Sequence, residues 1–164
     1  MAAANDVTQD MSKASMGVRT IALRIAGTQD AKQQLEDMGE DTSDFVVQTM
    51  SKVDQKVRNY TKTAATPNGI SVLDDNGRLR DTYSILLDIA KVWDDIVAKD
   101  NEFGTNTSNA LLELLAGKTR SNVLASILQA PEILESAYET SKNSAGVGQR
   151  ELDVYMDSIQ AKTI

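Results

Sequence analysis

The feature that most narrows what this chain can fold into is a spacing. Val7, Met11, Ala14, Val18, Ile21 and Ile25 recur at intervals of four, three, four, three and four, which lays them along one face of an α-helix. Val46, Met50, Val53, Val57 and Tyr60 repeat the pattern. Residues patterned this way cannot share one face of a strand, where the period is two. Prolines number 2 and aromatic residues make up 4% of the 164-residue chain, which removes the usual signals of a β-sandwich. The fold class is therefore mainly all-α, and the punctuation divides it into about six to seven helices.

Glycines supply much of that punctuation. Gly27 ends the first helix, read over 6–26, and Thr28 caps a short second one that Gly39 ends. A third helix, over roughly 44–62, carries the second stripe. Each stripe lasts only two or three heptads, so core packing is the reading, with coiled-coil self-association left open. A loop over 63–69 contains Pro67. The period then changes: Ile70 to Leu73 and Arg78 to Arg80 flank Asn76-Gly77, and the spacing predicts one small β-hairpin near 70–80 with a two-residue turn.

Asp81 or Thr82 caps the next helix, whose broad stripe of Ile85, Leu86, Ile89, Val92, Trp93, Ile96 and Val97 marks it as the central one, with Ile89 and Trp93 as core anchors. A second internal loop is read over 100–107, with Phe103 tucked under it. The run LLELLAGKTRSNVLASIL reads as two short helices in a tight hairpin, anchored by Leu115 and Leu124. Gly117 is the left-handed residue that ends the first of the pair, and Thr119 N-caps the second. Pro131 fits the first turn of a further helix with Ile133, Leu134, Ala137 and Tyr138 inward. A last amphipathic helix runs through Leu152, Tyr155, Met156 and Ile159. Residues 1–164 read as a single helical domain.

The chemistry is bounded by what is missing. With 0 cysteines and 0 histidines, disulfides, thiolate zinc sites and histidine-based acid/base or triad chemistry are excluded. A net charge of −7 repels a phosphate backbone, so no specific nucleic-acid binding is expected. No apolar run approaches the roughly 18 residues that span a bilayer, and MAAANDVTQD has neither the basic flank nor the apolar centre of a signal peptide. Gly117-Lys118-Thr119 spells the end of a phosphate-binding loop, but the glycine required five positions earlier is Leu112, and the preceding residues are helix formers. The DDNG run fails as an EF-hand: with Gly77 at the sixth loop position, the first is Val72 and the twelfth Tyr83. Carboxylate-only hydrolysis needs two acids about 5–10 Å apart across a cleft, whereas the adjacent Asp94 and Asp95 diverge by about 100° on a helix. The expectation is no catalytic, cofactor-binding or metal-binding residue and no small-molecule ligand. Lys118 and Arg120, at the hairpin turn, are solvated or contact an acidic partner.

Three runs, SMGVRTIALRIAGTQDAKQQLEDMGED, NGISVLDDNGRLRDTYSILLDIAKVW and LLELLAGKTRSNVLASILQAPEILESAYETS, resemble in their order the tape measure proteins of long-tailed phages and prophages. The resemblance extends over about 15–162. It implies a structural part in tail assembly and tail-length determination. The implied partners are further copies of the chain and tail tube, tail chaperone and baseplate hub proteins. It also implies residence in the host bacterial cytoplasm during assembly and in the tail lumen of the virion afterwards. Family members are usually many hundreds of residues long, so the expectation is a module excised or split from such a protein. A generic helical adaptor, using the 111–128 hairpin or a heptad stripe to bind another protein, fits the same residues. A carboxylate-dependent peptidoglycan hydrolase fragment is the third reading.

Overall fold

The structure, a computed structural model, describes residues 17–143. Those residues form seven helices: α1 over 17–26, α2 (Gln29–Asp37), α3 (Met50–Tyr60), α4 (Thr82–Phe103), α5 (Thr107–Ala116), α6 (Ser121–Leu128) and α7 (Pro131–Asn143). The start of the first predicted helix, with Val7, Met11 and Ala14, and the whole of the last one lie outside the described residues.

At the centre is α4. Its start is fixed by Asp81, whose carboxylate accepts the Ser84 N–H at 3.3 Å, and its end by Gly104, which is left-handed at φ 66° and ψ 26°. Ile85, Leu86, Ile89, Val92, Trp93 and Ile96 are buried along it, each contributing about 1.5–3 kcal/mol of transfer free energy as an upper bound. Around that face pack α5, α6 and α7, which supply Leu111, Leu115, Leu124, Leu128 and Leu134 to the same core. The expected hairpin of α5 and α6 is present, and Ile89, Trp93, Leu115 and Leu124 are all buried.

A second, smaller apolar cluster lies on the other side of α1, where Ala22, Leu23 and Ala26 meet Ala31 and Leu35 of α2. Because Val18, Ile21 and Ile25 face the main core, α1 is buried nearly all round, with Arg19 its one exposed position. The single stripe expected here is therefore half of the truth. Periodicity reports the face that is most apolar, and the alanines on the opposite face gave it little weight.

Two helix boundaries differ from expectation. The third helix begins at Met50, not near residue 44, because Thr49 caps it by accepting the Lys52 N–H at 3.2 Å. Val46 and Val47, counted as helical, are exposed and precede the cap. In the other case α4 continues to Phe103, into the region read as a loop over 100–107, and α5 begins at Thr107, leaving only residues 104–106 between them. Phe103 is 65% exposed instead of tucked in, since the inward position at this end of α4 belongs to Asp100.

The predicted β-hairpin is not formed. No strand occurs among the described residues, and 70–80 holds one isolated antiparallel bridge, Leu73 with Leu79. The Gly77 N–H donates to Asp74 O at 3.0 Å and the Asp74 N–H to Arg78 O at 2.7 Å, so Asp75, Asn76 and Gly77 make a three-residue loop, longer than the two-residue Asn76-Gly77 turn expected. The Asp74 carboxylate causes the difference: its Oδ1 accepts from the N–H groups of both Asn76 and Arg78, each at 2.9 Å. Beyond the bridge, the Val72 N–H donates to Asp54 of α3, where a longer ladder would have used a strand partner.

Candidate functional site

The turn between α5 and α6 closes against the loop that follows α2. α5 ends at Gly117, whose N–H donates to Glu113 O at 2.9 Å. Gly117 has φ 80° and ψ 163°. The positive φ expected there is present, but the ψ belongs to the extended region that only glycine occupies without strain, not to the left-handed helical one. A Cβ at this position would run into the Arg24 guanidinium.

Four polar links then hold the loop, three of them from the turn. The Lys118 N–H donates to Asp44 Oδ2 at 2.8 Å, the Thr119 hydroxyl to Asp41 Oδ2 at 3.1 Å, and Arg120 Nε to Glu40 Oε2 at 2.7 Å. Arg24 supplies the fourth from α1: its Nη2 donates to Asp41 O at 2.9 Å and its Nη1 lies 3.4 Å from Asp44 Oδ1. Arg24 is nearly buried, and its charged head also lies over the Phe45 ring. Backbone and side-chain hydrogen bonds from Ser43, then one from Thr119, hold the Asp41 carboxyl below its ordinary range against a smaller opposing effect of burial.

This geometry assigns the residues singled out in the sequence. Thr119 is not the N-cap of α6: Arg120 occupies that position without a side-chain cap, and the Thr119 hydroxyl is drawn instead to Asp41. The acidic group facing Arg120 is Glu40 of the same chain. Lys118 contributes its backbone N–H and keeps its side chain on the surface. As an anion site the turn is already taken, because a carboxylate sits on its N–H and a helix, not a buried strand, precedes it. Gly27, Gly39 and Gly77 all have positive φ, and Asn76 lies in the exposed loop beside Gly77.

Sequence reasoning missed two buried carboxylates and the groups that hold them. Asp54, on α3, accepts the Ser71 hydroxyl at 2.7 Å, the Val72 N–H at 2.8 Å and Arg58 Nε at 2.9 Å. Asp100, near the end of α4, accepts the Thr105 hydroxyl at 2.6 Å, the Thr107 N–H at 2.9 Å and the Ser108 N–H at 2.7 Å. Both are structural, since their oxygens are engaged by donors from the chain itself. Thr61 was missed too: its hydroxyl donates to Val57 O and accepts the Ile70 N–H, both at 2.7 Å. The signal available for Asp100 was its place five to eight residues before a Thr-Asn-Thr-Ser run short of acids.

Asp94 and Asp95 are exposed on α4. Among the described residues no group of three or more acidic side chains is placed to hold a metal ion, and no helix is long and apolar enough to cross a membrane. Comparison with protein-family models, curated proteins and solved structures finds no match to the chain.

Proposed function

We propose that this chain is a non-catalytic structural and interaction module of a phage or prophage tail tape measure protein, contributing to tail assembly and length determination. Its partners on this reading are further copies of itself and tail tube, tail chaperone and baseplate hub proteins. It is made in the host bacterial cytoplasm and ends in the tail lumen. The observation that carries the reading is that the three runs bearing the resemblance pack on one another. Glu40 and Asp41, which end the first run, accept hydrogen bonds from Arg120 and Thr119 of the third. Ile85, Ile89 and Trp93 of the second run share a core with Leu111, Leu124 and Leu134 of the third. Residues that resemble one family in order and also fold into one body support a module. An acidic surface suits passage alongside DNA without capture by it.

The genes on either side supply the first test. Tail tube, chaperone and baseplate genes are expected there, and the chain is expected by mass spectrometry in purified particles. Neighbouring genes without tail components would favour the generic helical adaptor. The non-catalytic part is tested separately, by following the turbidity of purified peptidoglycan. A fall on adding the protein would overturn it.

A further inference from the structure

We propose that residues 28–48 form a strap that opens as a unit from α1 and that the polar clasp at the α5–α6 turn keeps it closed. The strap leaves the body at Gly27 and returns at Gln48, and those two points are stitched together by the Gln48 N–H donating to Gly27 O at 2.9 Å. An excursion closed at its base can swing away without separating the chain on either side. No residue of the strap belongs to the main core. Its apolar hold is Ala31 and Leu35 against Ala22, Leu23 and Ala26, with Met38, Phe45 and, from the 70–80 segment of the body, Leu79 half-buried at the edge.

Within itself the strap is well tied. Thr28 caps α2 by accepting the Ala31 N–H. The Glu40 N–H donates to Leu35 O and the Gly39 N–H to Glu36 O, the paired bonds that close a helix at a left-handed glycine. The Thr42 hydroxyl donates to Glu36 Oε1 at 2.8 Å. At its far end the attachment to the body is polar and one-directional: Glu40, Asp41 and Asp44 accept, while Arg24, Lys118, Thr119 and Arg120 donate. A segment with strong internal bonds, few buried apolar side chains and a clasp at one end has the makings of a separate opening unit. Opening uncovers the Ala22, Leu23 and Ala26 face of α1, which is otherwise fully covered.

Native-state hydrogen exchange of the full chain at low denaturant tests this without any substitution. Once detached from α1, the nine-residue α2 is too short to persist as a helix on its own. The amides of Lys32, Leu35, Met38 and Glu40, whose acceptors all lie within the strap, are therefore expected to share one opening reaction, faster and less denaturant-dependent than that of Ile89 and Trp93 in α4. Strap amides that follow α4 at every denaturant concentration would overturn the proposal. Arg120→Met removes the Glu40 link while keeping a long stem, and is expected to accelerate strap exchange by roughly tenfold or more, the scale of one charge-assisted hydrogen bond, with α4 unchanged. No acceleration in the strap, equal acceleration in α4, or loss of the folded state would each count against a clasp that governs local opening.

Discussion

Asp100 caps a helix that it does not belong to: its Oδ2 accepts the Ser108 N–H at 2.7 Å, tying the last turn of α4 to the first of α5. Asn106, the residue at the N-cap position, makes no side-chain cap of its own. Burial alone pushes the Asp100 carboxyl up, but hydrogen bonds from the Ser108 and Thr105 side chains and the Ser108 and Thr107 backbone outweigh it and hold the group at about 2. The folded value thus lies below the ordinary 3.8. A depressed carboxyl contributes stability that is present above the unfolded value and is lost as pH falls towards the folded one, here about 2 kcal/mol. Asp100→Asn is expected to be less stable than the parent by on the order of 2 kcal/mol at pH 6, with the gap closing between pH 4 and pH 2. Denaturant melts of both proteins across that range check it; a gap independent of pH would refute the assignment.

Asp54 gives a second contrast, because its three donors differ in exposure. The Val72 N–H is buried, whereas the Arg58 side chain is 45% exposed. Asp54→Ala leaves a buried N–H without a partner and is expected to cost about 2–3 kcal/mol. Arg58→Ala removes a half-solvated ion pair and is expected to cost less than about 1 kcal/mol. Equal losses in urea melts would mean that the ion pair, not the link to Val72, is what Asp54 provides.

How far the sequence could be read follows from which interactions are local. The helix of Ile85 to Ile96 and the stops at Gly27 and Gly39 depend on residues three or four apart, and these were legible. What was missed depends on distant partners. Thr119 has the chemistry of an N-cap, but Asp41 lies 78 positions away in sequence and takes its hydroxyl. Val46 continues a four-and-three spacing, yet Thr49 holds a stronger local cap, and the return of Gln48 to Gly27 keeps the segment out of the helix. The bridge at Leu73 and Leu79 shows the same limit: the turn chemistry was visible, but not that Asp54 takes the Val72 N–H. Of the clasp only an acid opposite Arg120 could be read; which acid was not legible, because neither the acids of 40–44 nor the cations of 118–120 carry a signal of their partner.

Gly69 is a site that spacing did not flag. Its φ is +76°, and a Cβ there would collide with the Arg58 backbone. At Gly39 the φ is +82° but nothing lies within 4 Å of such an atom. Gly39→Ala is therefore expected to cost about 1 kcal/mol, the price of a left-handed residue with a side chain. Gly69→Ala is expected to exceed it by about 2 kcal/mol or more, since backbone must move as well. Thermal melts of the two variants would contradict this by showing similar losses.

The turn Gly117-Lys118-Thr119 admits the sharpest separation. Lys118 contributes its N–H to Asp44, a bond that any residue but proline can make, and its side chain lies on the surface. Lys118→Ala is expected to stay within about 0.5 kcal/mol of the parent. Gly117→Val places a β-branched residue at φ 80°, with its Cβ against Arg24, and forces the guanidinium away from Asp41 and Asp44. A loss of about 2–3 kcal/mol is expected, from strain and from disturbance of the clasp together. If the turn held phosphate instead, ATP with magnesium would raise the melting temperature of the parent by mass action, and Lys118→Ala would abolish the rise. Melts of the three proteins with and without saturating nucleotide therefore distinguish a turn that binds its own loop from one that binds a ligand. A nucleotide-dependent rise that disappears in Lys118→Ala would make Asp44 the occupant of a phosphate site, not the purpose of the turn.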